Sequence, residues 1–235
     1  AIELNPNFAN THLNLGAILR ELGNLKDAEK SARKAIELNP NLEMAHFNLG
    51  NVLRELGNLK EAEKSTRKAI ELKPELAIAH YNLGMILLNL GNSHDAELSL
   101  RKAITIDPNL TCAVEELARR LYLDKKYDLA IQYLQGNKSN SCQSLYLSCL
   151  LCLDRETIFY EKYKELSQKK ICNADMSGII EHANIIYEQR KTSHFCNEAI
   201  KYVVIEKIDE NLFSNKNFNQ LISYIKSDEL KTKPQ

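Results

Sequence analysis

The chain has no tryptophan, no excess of charge of either sign, and no cysteine before residue 112. Thirty-one Lys+Arg balance thirty-one Asp+Glu, so no overall field draws nucleic acid or an anionic membrane to it. No stretch approaches the ~18 consecutive apolar residues of a membrane span, and the opening AIELNPNF lacks the basic-then-apolar character of a secretory signal. A cytoplasmic chain that binds neither nucleic acid nor membrane is expected. The six cysteines, at 112, 142, 149, 152, 172 and 196, are too sparse for a secreted disulfide framework and read as reduced thiols.

Catalytic signatures are missing as well. The sequence contains no Gly-rich phosphate loop, no GxSxG and no HExxH, and His94 and Asp95 are adjacent where an iron oxygenase needs HxD. Asp175, Glu181, His182 and His194 are scattered without an evident partner. The chain reads as non-enzymatic, with no cofactor. Cys149-x-x-Cys152 has metal-knuckle spacing, and Cys172, His182, His194 and Cys196 could add ligands. Yet the pair lies in LYLSCLLCL, where cysteine serves as a small hydrophobe, and no second knuckle follows. No metal is expected.

What is present is repetition. Residues 1–34 and 35–68 agree at 25 of 34 positions, residues 69–102 continue the pattern, and 103–136 hold a decayed copy. A unit of this size cannot bury its apolar face alone and must stack on its neighbours. Each unit reads as two helices. In the second, residues 43–56 and 59–72 flank Gly57-Asn58, a C-cap and turn signal, and Pro74 stops the second helix. Gly23-Asn24 with Pro40 and Gly91-Asn92 with Pro108 are the equivalents, whereas Asp124-Lys125-Lys126 replaces the glycine turn in the fourth unit, which should be looser.

His46, Leu49, Gly50, Leu53, Ala62, Thr66, Ala69 and Pro74, with His80, Leu83, Gly84, Leu87, Ala96, Leu100, Ala103 and Pro108, follow a recognisable order. This pattern resembles the tetratricopeptide repeat family, with histidine at its Trp position and Thr66 at its Phe position. The resemblance implies an all-α, right-handed solenoid of helix-turn-helix repeats over residues 1–136. Gly50 and Ala62 would let the two helices of a unit approach closely. His12, His46 and His80 recur at the repeat period, but stacked units hold equivalent residues about 10 Å apart, too far to share an ion, so they read as packing residues.

Function is better read from what the repeats change. Seven of the nine differences between the first two units fall at residues 8–18, and Asn10/Met44, Leu13/Phe47 and Ala17/Asn51 share one helical face. In the resembled fold the first helices line the concave surface, so the varied face is the groove. It runs Asn10, Leu13, Asn14, Arg20, then Met44, Phe47, Asn48, Asn51, Arg54, then Ile78, Tyr81, Asn82, Met85. Apolar and aromatic side chains beside amides suit a protein partner or an extended peptide. Asn14, Asn48 and Asn82 align as a ladder that could pair with any peptide backbone, since an amide both donates and accepts; alternatively they bond the neighbouring unit. The repeats of O-linked N-acetylglucosamine transferase, which these units resemble, carry the same ladder. The first three groove helices contain no lysine, which argues against a clamp for chaperone C-termini. Lys26, Lys30 and Lys34 beside Asp27 and Glu29 read as a solvated convex face.

From Gly136 the composition shifts. GNKSNSCQS is a plausible joint, and 137–235 reads as an irregular helical extension that caps the stack, with helices over 142–152, 155–169 and 175–190. AIEL opens the chain but ends a second helix in later copies, which suggests a preceding unit. CNADMSGIIEHANIIYEQRK and HFCNEAIKYVVIEKIDENLF resemble the connector of marine cyanobacterial proteins that join tetratricopeptide repeats to a 2-oxoglutarate/iron(II) oxygenase domain. The main expectation is a binding scaffold. The alternative is a substrate-recruiting, non-catalytic part of a larger enzyme, either that oxygenase or a glycosyl- or sulfotransferase.

Overall fold

The computed structural model describes residues 9–168 and 174–186. These residues form α-helices and no strand. The first eight helices pair as α1 (Ala9–Glu21) with α2 (Leu25–Leu38), α3 (Glu43–Glu55) with α4 (Leu59–Leu72), α5 (Ala77–Asn89) with α6 (Ser93–Ile106), and α7 (Thr111–Leu123) with α8 (Tyr127–Leu134). They are followed by α9 (Asn140–Cys152), α10 (Glu156–Gln168) and α11 (Ala174–Ile186).

The turn inside each unit has a chemical cause. Gly57 takes φ +80°, which costs a glycine nothing. Its N–H then donates to the Arg54 carbonyl at 3.1 Å while the Asn58 N–H donates to the Leu53 carbonyl at 2.8 Å, the paired bonds that satisfy the orphan carbonyls of a helix end. In the fourth unit Lys125 adopts φ 60°, and Lys125 and Lys126 repeat both bonds at 3.0 and 2.8 Å. The fourth turn therefore keeps the bonding of the glycine turns even without a glycine. What differs is the helix after it: α8 has 8 residues where α2, α4 and α6 have 14.

Packing rests on small residues at repeat spacing. Ala28, Ala62, Ala96 and Ala130 are fully buried, as are Ala45, Ala79 and Ala113, so paired helices meet almost backbone to backbone. A Cβ on Gly84 would lie 3.0 Å from the Leu100 side chain and 3.3 Å from the Ala96 carbonyl oxygen, and one on Gly50 would collide with Thr66 Oγ1. Two of the recurring histidines are struts: Nε2 of His46 donates to the Pro40 carbonyl at 2.9 Å, and that of His80 to the Pro74 carbonyl at 2.8 Å. Each ties a first helix to the turn that delivers it.

Each second helix packs on the next first helix, and first helices also touch one another, α1 on α3, α3 on α5 and α7 on α9. Second helices of successive units make no comparable contact. The first helices thus form the inner layer of the stack. The compact unit runs to Leu153, beyond the joint read at Gly136, because α9 packs on α7 and α8 as the first helix of a fifth unit would. Ser139 starts that helix, its hydroxyl accepting from the Cys142 N–H at 3.2 Å. In the second compact unit, from Asp154, Tyr160 of α10 donates to Asn184 Oδ1 of α11 at 2.9 Å.

Candidate functional site

The residues read as a groove all lie on α1, α3 and α5, but not with equal access. Asn10 and Asn14 are exposed, while Leu13, Arg20, Met44, Phe47, Asn48, Arg54, Ile78, Tyr81 and Met85 are half-buried. Asn51 and Asn82 are buried, at 6% and 3% exposure.

The three aligned asparagines are consequently not an even ladder. Asn82 Nδ2 donates to Thr66 Oγ1 at 3.3 Å, and Asn82 Oδ1 accepts from Arg54 Nε at 3.2 Å. These bonds make it a strut between units, the alternative role that the sequence left open. The first unit has Ala32 where the second has Thr66, so Asn48 has no hydroxyl to meet there. Thr66 was legible as a small residue at a large position. Its hydrogen-bonding consequence was the missed signal.

Charge along this layer is uneven. Arg20 on α1 lies 3.7 Å from Glu55 on α3. Arg54 has no carboxylate within ion-pair distance among the described residues. On α7, Glu115 and Glu116 stand one repeat beyond Tyr81 and Asn82, sharing the Arg119 guanidinium at 2.8 and 3.9 Å. Glu115 also accepts from Ser141 Oγ of α9 at 2.6 Å. Sequence reasoning stopped at the third unit and missed these residues, although the repeat register alone points to them. Burial pushes the Tyr81 hydroxyl above its ordinary pKa, helped by Cys112 and Glu116, and Arg54 opposes the shift. The ring is thus within electrostatic reach of both α3 and α7.

The opposite layer is different in kind. A depression of about 870 Å³ lies between α2 and α4, lined by Arg33, Ile36, Glu61, Lys64 and Arg67 among others. Arg33 bridges it to Glu61 at 2.6 Å, and Glu29 and Glu63 pair with Arg33 and Arg67 at 2.8 Å. Internal ion pairs on a wet surface contribute little stability and leave few free charges for a ligand.

Cys112, Cys142, Cys149 and Cys152 are free thiols. Cys149 is fully buried, and burial together with Cys152 pushes its pKa up to about 12. Cys152 is exposed and donates to the Tyr122 hydroxyl at 3.6 Å. Among the described residues no group of three His, Cys, Asp or Glu could hold a metal ion; Cys172, His194 and Cys196 lie outside them. No helix of the described residues is long and apolar enough to cross a membrane.

Solved structures share this architecture. PilF of Pseudomonas aeruginosa aligns at a TM-score of 0.69 and 20% identity, over 93% of this chain and 97% of that one. Two crystal structures of MamA align at TM-scores of 0.52 and 0.58 with 22% and 20% identity, covering 66% and 69% of this chain and 84% and 93% of theirs. At such identities the likeness is one of fold. No curated protein matches the chain. Sequence profiles described as tetratricopeptide repeat match residues 7–75 and 77–110, ending just before α7. The segments likened to an oxygenase connector, residues 172–191 and 194–213, lie mostly outside the described residues, which include only 174–186 of them. Spacing, glycine turns, buried alanines and profile agree that residues 7–75 and 77–110 are tetratricopeptide repeats.

Proposed function

We propose that the chain is a non-catalytic scaffold that holds an extended segment of a partner protein against the inner layer of first helices. Tetratricopeptide repeats generally mediate protein–protein interaction, and the repeat match supports that class of role. The observation that carries the specific site is a row of half-buried apolar side chains, Leu13, Met44, Phe47, Ile78, Tyr81 and Met85, left open after the core is packed. Such side chains gain from covering by a ligand, at about 25 cal/mol per Å² of apolar surface removed from water. Asn10, Asn14 and Asn48 retain access to a peptide backbone, whereas Asn82 does not contribute as an open amide.

Peptides selected by phage display against the chain provide the test. Phe47→Ala with Tyr81→Ala should weaken their binding by about tenfold or more, equivalent to ~1.4 kcal/mol. Arg67→Ala on the outer layer should leave binding unchanged. Selected peptides that ignore the first pair of substitutions and lose affinity with the second would refute the inner-layer site.

A further inference from the structure

Arg20 and Arg54 occupy the same position one repeat apart, and each reaches forward to the next first helix. Arg20 meets a carboxylate there, Glu55 of α3 at 3.7 Å. One repeat beyond Glu55 the chain has Asn89, and α5, AIAHYNLGMILLN, contains no Asp or Glu. Arg54 is therefore answered by an amide: its Nε donates to Asn82 Oδ1 at 3.2 Å, and Asn82 Nδ2 donates in turn to Thr66 Oγ1 at 3.3 Å. The acidic residues nearby on the inner layer are committed elsewhere, Glu43 to Lys73 at 3.8 Å and Glu115 and Glu116 to Arg119. Glu21 lies on α1, the neighbour of α3 opposite to the one that Arg54 reaches.

Arg54 is half-buried, and a cation partly withdrawn from water without a counter-charge gains more from an anion than a fully exposed one does. The Thr66–Asn82 chain holds its Nε, so the side chain is already oriented before any ligand arrives. Its terminal nitrogens make no hydrogen bond or ion pair among the described residues, which leaves the planar fork that fits a carboxylate. Tyr81 lies within electrostatic reach of this guanidinium. Resting on the inner-layer peptide reading, we propose that Arg54 is a carboxylate subsite of the groove, which receives an Asp or Glu side chain of the partner segment close to the apolar residue covering Tyr81. Open apolar side chains lie to either side of it, Leu13 and Phe47 on α1 and α3 and Ile78 and Met85 on α5. The segment thus runs past Arg54, and the carboxylate is an internal side chain instead of a chain terminus. Apolar cover supplies affinity, and the charge contact selects among segments of similar apolarity.

The probes are peptides selected by phage display as internal segments, then synthesised with a fluorophore and an amidated C-terminus. In fluorescence anisotropy, replacing one Asp or Glu of such a peptide by Asn or Gln should weaken binding to the parent chain by about tenfold, and raising the salt concentration should narrow the difference. Arg54→Gln should abolish it. Because Arg54 also holds Asn82, Asn89→Glu provides a second variant. It restores on α5 the carboxylate that Glu55 offers to Arg20 and leaves Arg54, Phe47 and Tyr81 in place. This variant should reduce the difference several-fold while binding the neutralised peptide as the parent does. Selected peptides without such an acidic residue, a difference that survives either substitution, or a gain confined to a free C-terminal acid would overturn the subsite. Peptides that still require Phe47 and Tyr81 would then leave the groove reading standing; if they require neither, or if none is selected, both readings fall.

Discussion

Asn82 on α5 and Thr66 on α4 are joined by a hydrogen bond of 3.3 Å in which the amide donates to the hydroxyl. With Arg54 Nε on the Asn82 carbonyl oxygen at 3.2 Å, one side chain links three helices in two units. A buried amide held at both ends stabilises the stack, and leaving its partners unpaired costs about 1–3 kcal/mol. Asn82→Ala should therefore lower the unfolding free energy read from urea titration by that amount, whereas Asn14→Ala, exposed at the equivalent position, should stay within ~0.5 kcal/mol of the parent. Equal midpoints for the two variants would show that the strut carries no load.

Gly50→Ala tests how close the paired helices stand. Alanine in a helix interior is ordinarily better than glycine by about 1 kcal/mol. Here the added Cβ would meet Thr66 Oγ1 and stand 3.4 Å from the Ala62 carbonyl oxygen, so overpacking should reverse the sign and cost about 1–3 kcal/mol. Thr66→Ala removes the obstructing hydroxyl while leaving Asn82 Nδ2 without its acceptor. The double variant should then be more stable than the sum of the two single effects, a coupling that a double-mutant cycle in urea reads directly. Strict additivity would mean that the helices yield instead of clashing.

The parts of the molecule that were legible in the sequence are those that repeat. The helix pairs, the glycine turns, the close approach at Gly50 and the three later helices follow from period, caps and small residues, each a local rule. His46 and His80, read from the sequence as packing residues, also hydrogen-bond to Pro40 and Pro74, bonds that depend on how the chain turns between units. The asparagines were harder for a related reason. Asn14, Asn48 and Asn82 occupy one repeat position, yet their surroundings are set by Ala32, Thr66 and Arg54 on other helices, so an identical letter carries different burdens. Glu115 and Glu116 went unread because the fourth copy has decayed, although its backbone continues the same register.

Thiol accessibility separates the cysteines of α9 from one another. Cys142 and Cys149 are fully buried, and burial pushes both thiols up, Cys149 to about 12, which removes the nucleophilic thiolate at ordinary pH. Cys152, a turn further along, is exposed. Brief iodoacetamide treatment of the folded chain at pH 8, followed by peptide mass spectrometry, should label Cys152 well before Cys142 or Cys149. Mild urea should bring the buried pair forward. Early labelling of Cys149 would contradict the packing of α9 against α7 and α8.

Lys125 offers the opposite kind of test, a substitution that should improve the fold. Its φ of 60° places a side chain in the left-handed region, which costs about 1–2 kcal/mol for a residue with a Cβ. The first three units place glycine at this position, with φ between 76° and 80°, and the bonds from residues 125 and 126 back to Tyr122 and Leu121 require the backbone to stay there. Lys125→Gly relieves the strain but also loosens the unfolded chain, which subtracts part of the gain. A net stabilisation of about 0.5–1 kcal/mol is expected, with no change in peptide binding because the side chain is exposed on the turn. The mirror experiment, Gly57→Lys, should cost about 1 kcal/mol or more, since it imports the strain of the fourth turn into the second without any compensating contact: nothing lies within 4 Å of the Cβ position. If Lys125→Gly destabilises the chain, the lysine must make a contribution in the turn that outweighs its backbone strain, and the fourth unit would no longer be an ordinary repeat with the wrong residue at its bend.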